Sequence, residues 1–278
     1  AIGATFLLSD TIKTTAEIDI LSEIEKSAYY IAEAVAVQTP FILLSVCIVA
    51  LAVIFAFVKL PSIIKTVSNS GYREVLKNKV LMMGAFAILV YVGAEVAIGS
   101  YLVNYFIDMD MHLIIQSTPW MNNIAINILN ADLGSLDKRA IVGAFVTFYW
   151  SGAMIGRFLG AYLTSKNNPS KVLGFFAIGA LLFIVISMNT VGIISMWSIL
   201  AVGLFNSIMF PTIFTLSIQD IDELKPQASG ILCTMIVGGA IIPPLYGFIT
   251  DLSGFKTAMI LLLACYGYIS VSYTHLRA

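Results

Sequence analysis

The chain alternates long uncharged apolar runs with short polar breaks, and the run from Val80 to Phe106 is the most informative of them. As a helix rising ~1.5 Å per residue it would extend ~40 Å, more than the ~30 Å hydrocarbon core of a bilayer. Its single side chain charged near neutral pH is Glu95, close to the midpoint. A carboxylate at that depth costs a few kcal/mol in lipid, so Glu95 is expected to face protein or a water-filled cavity. It is there either as a functional group or as a helix-packing carboxyl.

The same pattern divides the rest. Residues 1–10 are apolar up to Ser9-Asp10 and read as the end of a truncated transmembrane helix. Residues 11–38 are acidic, with Ile18, Leu21, Ile24, Ala28, Ile31 and Val35 at helical spacing, which predicts an outer loop carrying an amphipathic helix. Thr39-Pro40 opens the first complete span, over 39–59, since proline fits a first helical turn. Residues 60–79 form a cytoplasmic interdomain loop in which Lys65, Arg73, Lys77 and Lys79 oppose only Glu74. Residues 80–272 contain the Glu95 span, then spans near 139–163, 172–188, 196–218, 228–249 and 257–270. Between the first two of these, 112–129 predicts a re-entrant or interfacial helix with Trp120 at headgroup level.

The expectation is thus an all-α membrane protein of about seven transmembrane helices, the last one cut short. Inner loops and the span ends beside them hold nine Lys and Arg, and outer ones five, leaving Arg277 aside. This places the loop before Glu95 on the inside. The start lacks Met and a basic leader, and 273–278 interrupts the final run, so the chain reads as a fragment with a doubtful tail.

Composition agrees and narrows the function classes. Of 278 residues, 59% are hydrophobic and 11% charged, and the mean hydropathy is +0.93. A soluble domain carries about 25% charged residues. A net charge of −1 lacks the basic face that nucleic acid requires. Cys47, Cys233 and Cys265 stand alone in apolar runs, with no metal-ligand spacing, and no metal or cofactor is expected. His112 and His275 form no catalytic pair with another residue, so an enzyme is not expected. No repeated pore-lining ring points to a channel.

Polar and aromatic residues at mid-depth carry the candidate chemistry. Tyr91 precedes Glu95 by one turn on the same face. Asn206 and Phe210 share a face of a later span, which Pro211 kinks by freeing a backbone carbonyl one turn earlier. Asn206 then either contacts a ligand or satisfies that backbone. Tyr149 and Trp150 lie at mid-depth on the span between. Carboxylate, amide, phenol and indole together suit a polyhydroxylated ligand, whose hydroxyls bond acids and amides while aromatic faces stack on the ring. Gly152, Gly156 and Gly160 form consecutive small-xxx-small steps for close helix packing, with Arg157 among them near the cytoplasmic end. Kinked helices beside mid-membrane polar groups are the pattern of a transporter binding site.

Four ordered motifs sharpen this: Tyr91-Val92-Gly93-Ala94-Glu95, Gly156-Arg157-Phe158-Leu159-Gly160, the stretch Phe205-Asn206 through Pro211 to Phe214, and Gly238-Gly239-Ala240-Ile241-Ile242-Pro243-Pro244. Together they resemble the fucose–galactose–glucose cation symporter family of the major facilitator superfamily, nearer its glucose/galactose branch, over nearly the whole chain. The resemblance implies a partial major facilitator fold, the C-terminal part of a twelve-helix transporter in the bacterial inner membrane, with the N-terminal half missing. It implies a secondary active symporter for a hexose such as glucose or galactose, coupled to a proton or a sodium ion, working by alternating access. The Glu95 and Asn206 spans would be the seventh and tenth helices lining the cavity, and Arg157 with its glycines a gating region. In the fucose branch the coupling carboxylates lie in the first half, so Glu95 is a sugar-binding or a coupling group. The alternatives are a transporter of a non-sugar solute on the same scaffold, and a non-transporting membrane sensor.

Overall fold

The structure is a computed structural model that describes residues 20–58, 71–221 and 223–272. The expected helix end at 1–10, most of the cytoplasmic loop and the tail at 273–278 lie outside the described residues. No strand occurs among the described residues.

Helix α1 (Glu23–Phe57) opens with a capping box: the Glu25 amide donates to the Ser22 hydroxyl at 3.4 Å, and the Ser22 amide donates to the Glu25 carboxylate at 3.0 Å. It runs unbroken through Thr39 and Pro40. The sequence reading had separated an amphipathic helix from a span beginning at Pro40, and the structure corrects that to one continuous helix. A proline removes one main-chain donor, and the apolar run beyond it favours helix strongly enough to continue past the gap.

After a single turn, α2 (Tyr72–Val75), the long helix α3 (Lys79–Asp108) starts at Asn78, whose side chain accepts from the Leu81 amide at 3.1 Å. Two short helices follow, α4 (Met111–Ser117) and α5 (Pro119–Leu129), in the segment expected to be interfacial. Trp120 of α5 is half exposed and stacks on Trp197 with ring centres 6.1 Å apart. Helix α6 (Lys138–Lys166) is capped by Asp137, and α7 (Pro169–Asn189) by Asn168 with Pro169 in its first turn. The next span is broken into α8 (Gly192–Asn206) and α9 (Met209–Ile218). So is the one after it, into α10 (Lys225–Thr234) and α11 (Gly238–Ser253), joined by a 3₁₀ turn at Met235–Val237. Helix α12 (Phe255–Ser272) completes the described chain.

Taken across their breaks, six helical spans among the described residues are long and apolar enough to cross a membrane, and Phe41–Phe57 of α1 is a shorter apolar stretch. Helix α3 is at the centre: α6, α9, α11 and α12 all pack on it, while α8 packs between α6 and α7. Lipid supplies no hydrophobic force between helices, so their association rests on close backbone approach and hydrogen bonds. Glycine provides the approach. A Cβ at Gly156 would sit on the Leu204 carbonyl oxygen, one at Gly160 on the Ile208 side chain, and one at Gly203 on the Tyr149 carbonyl oxygen, locking α6 against α8 and the break below it. On the other side, Gly238 presses on the Leu89 carbonyl, which seats α11 against α3.

Candidate functional site

The break between α8 and α9 is where the mid-membrane polar groups meet. Pro211 has no amide to give the Ser207 carbonyl, and the helix gives way one turn before it. Helix ends leave carbonyls without intrahelical donors, and inside a bilayer each must find another. Here the Ser207 hydroxyl donates to the Leu204 carbonyl at 2.8 Å, and the Tyr91 hydroxyl of α3 donates to the Asn206 carbonyl at 2.9 Å.

The Asn206 side chain completes the junction. Its amide nitrogen donates to the Tyr149 hydroxyl of α6 at 2.8 Å, and its amide oxygen accepts from the Tyr266 hydroxyl of α12 at 2.7 Å. Asn206, Tyr149 and Tyr266 are wholly buried and Tyr91 is 3% exposed. Four helices are thereby pinned to one asparagine.

Glu95 lies one turn beyond Tyr91 and is half-buried. The Tyr91 side chain and the Arg157 guanidinium both act electrostatically on its carboxyl. The exposed stripe of α3 beside it continues through Val96, Ser100 and Asn104. Trp150 is 54% exposed and its ring lies over Gly99, where a Cβ would come within 3.3 Å of it. Tyr149 meets Trp150 edge-on at 5.2 Å, so the buried phenol backs the open indole. Arg157, Met154 and Phe158 extend this exposed face of α6.

The residues singled out from sequence therefore divide into two layers. Glu95, Trp150 and Arg157 stand on the open face. Tyr91, Tyr149 and Asn206 lie behind it, hydrogen-bonded to protein. Phe210 falls beyond the break from Asn206 and stacks on Phe214 at 6.1 Å, and Pro211 is exposed. The Glu95 face is an open surface; a hollow of about 390 Å³ lies elsewhere, at the inner end, lined by residues including Glu74, Asn78, Asp220 and Glu223. Sequence reasoning missed Tyr266, and also a second buried cluster near the outer end. There Tyr105 and Ser195 hydroxyls lie 2.6 Å apart and Ser187 and Ser195 hydroxyls 3.0 Å apart. Lone hydroxyls in apolar runs gave no pattern by which to find either.

Membrane-length helices with glycine-tight crossings, two broken spans and a polar junction at mid-depth define an all-α, multi-span membrane protein with part of a transporter fold. The crystal structure of a major facilitator superfamily transporter, FucP, in the outward conformation aligns with the whole of this chain at a TM-score of 0.75 and 24% identity, over 64% of that structure. A variant of the Escherichia coli fucose:proton symporter aligns at 0.74 and 25% identity, again over the whole chain and 64% of that structure. In sequence the chain is 38% identical over 242 residues to a glucose/galactose transporter of Brucella abortus, covering 86% of this chain and 53% of the relative. It is 35% identical over 274 residues to a putative glucose/galactose transporter of Helicobacter pylori, covering 96% and 60%. The L-fucose-proton symporter of Escherichia coli is 26% identical over 280 residues, covering 97% of this chain and 58% of the relative. No protein-family model matches.

The chain belongs to the major facilitator superfamily, and within it to the group of glucose/galactose transporters and L-fucose-proton symporters just described. These relatives are transporters, not enzymes. The chain spans about half the length of the relatives it matches.

Proposed function

We propose that this chain supplies one wall of the sugar pathway in a secondary active symporter of a bacterial inner membrane. The substrate is a hexose such as glucose or galactose, driven by a proton or a sodium ion, and the opposing wall comes from the part of the relatives that this chain does not match. The observation that carries the reading is Glu95 beside Trp150 on an open face at mid-depth. A carboxylate accepts hydrogen bonds from neighbouring sugar hydroxyls, and an indole face stacks on the apolar side of the ring. Both residues rest on a hydrogen-bonded floor, which holds their positions while sugar and ion exchange. The names of the relatives support the sugar class. Alternating access would tilt this wall against the opposing one, and the glycine-locked α6–α8 pair would move as a unit.

The test is uptake of labelled glucose and galactose by the complete transporter in proteoliposomes, with an imposed proton or sodium gradient in turn. The expected result is uptake driven by one gradient and abolished in Glu95→Gln. Equal uptake by parent and variant would overturn the assignment of Glu95.

A further inference from the structure

The outer half of α3 carries a second set of polar side chains, which the Glu95 face does not use. Ser100, Asn104 and Asp108 recur every four residues from just beyond mid-depth to the outer end of the helix, and all three are exposed. At 3.6 residues per turn, Ser100 and Asn104 lie roughly 140–180° round the helix from Glu95. Asn104 is also nine residues further out, a rise of ~13 Å. One sugar ring cannot reach both Glu95 and Asn104.

These side chains show what the outer half of α3 meets. The exposed face of α7 carries Phe175, Ile178, Leu182 and Val185, all apolar, as contact with acyl chains demands. The exposed face of α3 carries a hydroxyl, an amide and a carboxylate instead. On other spans Ser45, Thr215 and Thr250 turn their hydroxyls back onto the carbonyl one turn earlier, at 2.8, 2.9 and 2.9 Å. The Ser100 hydroxyl does not, and neither it nor the Asn104 amide has a hydrogen-bond partner among the described residues. An amide with its donors and acceptor unmet is costly in hydrocarbon, so this face opens on water. Helices α6 and α11 bound it: Trp150 lies over Gly99, and the Tyr101 hydroxyl lies against Gly247 of α11.

We infer that Ser100 and Asn104 form an outer hexose subsite, which holds the sugar between the outer side and the Glu95–Trp150 face. The amide donates to one sugar hydroxyl while accepting from its neighbour, and the serine hydroxyl does either. Asp108 stands one turn beyond, at the mouth. The inference rests on the transport reading for the identity of the ligand, and not on the role given there to Glu95.

The experiment is thiol labelling of the complete transporter in vesicles of known sidedness. Its natural cysteines are replaced by serine, and Ile107→Cys is the reporter, a half-buried position one turn beyond Asn104. A membrane-impermeant methanethiosulfonate added on the outer side is expected to react there. Glucose or galactose at about ten times its half-saturating concentration should slow the reaction about ten-fold, by leaving about a tenth of the subsites empty. Protection should weaken in Ser100→Ala, vanish in Asn104→Leu, and persist when Glu95→Gln and Trp150→Ala together remove the deeper contacts. No labelling from the outer side, or no protection by either sugar, overturns the subsite. So does protection that survives Asn104→Leu, or that disappears with the deeper pair, since position 107 would then report only the Glu95 face. Uptake of labelled hexose by the parent tests the transport reading separately. Protection without uptake supports the subsite and sinks that reading, and uptake without protection does the reverse.

Discussion

Tyr266 donates its hydroxyl to the Asn206 side-chain oxygen at 2.7 Å, tying α12 to the break between α8 and α9. Tyr149 accepts from the other side of the same amide, so one asparagine satisfies two wholly buried phenols. Replacing it with the similarly sized Asn206→Leu leaves both hydroxyls without that partner. A buried polar group left unsatisfied costs about 1–3 kcal/mol, so destabilisation of that order is expected. Unfolding of parent and variant in mixed detergent micelles checks it, and equal stability would contradict a structural role for the amide.

The α6–α8 crossing allows a test with an internal control. At Gly156 a Cβ would land on the Leu204 carbonyl oxygen, a main-chain atom that cannot rotate aside. At Gly143, on the same helix, a Cβ would meet nothing within 4 Å. Gly156→Ala is expected to destabilise by about 1–3 kcal/mol, the usual cost of overpacking, and Gly143→Ala to be neutral or mildly stabilising. Thermal unfolding of the two variants in the same detergent reads the difference.

Trp150 is the exposed member of the Tyr149–Trp150 pair, so it can be changed without opening the core. Trp150→Ala is expected to cost about 0.5–1.5 kcal/mol of stability, the worth of its one edge-on contact with Tyr149. Sugar affinity should weaken about ten-fold, the loss of roughly 1.4 kcal/mol of stacking. Binding of labelled hexose to the complete transporter measures one and thermal unfolding the other.

Gly99 supports that indole from below. A Cβ at 3.3 Å from the ring forces Trp150 to shift by a few tenths of an ångström. Gly99→Ala should therefore alter hexose selectivity while leaving Glu95 and the Asn206 junction in place. Comparing uptake of glucose and galactose by this variant gives the answer, and an unchanged ratio would show that the indole position does not select between them.

Much of this was legible in the chain. Hydropathy marked the spans because a bilayer of fixed thickness demands runs of fixed length. Pro211 marked the break, because the donor it lacks can be counted locally, whereas the caps Asn78, Asp137 and Asn168 were seen only in the structure. The Gly152–Gly156–Gly160 spacing marked a close crossing. The helix through Pro40 was not legible, since a local donor lost there is outweighed by the apolar run on its far side.

What the sequence determined by itself was that Glu95, Tyr91, Tyr149, Trp150 and Asn206 lie at mid-depth. Which of them look outward was decided by tertiary structure alone. In a soluble helix the apolar stripe reveals the buried face, but in lipid both faces are apolar and the stripe disappears. Only the packing of α3, α6, α8 and α12 around Asn206 turned three phenols and an amide inward, and left the indole exposed with the carboxyl half-buried near it.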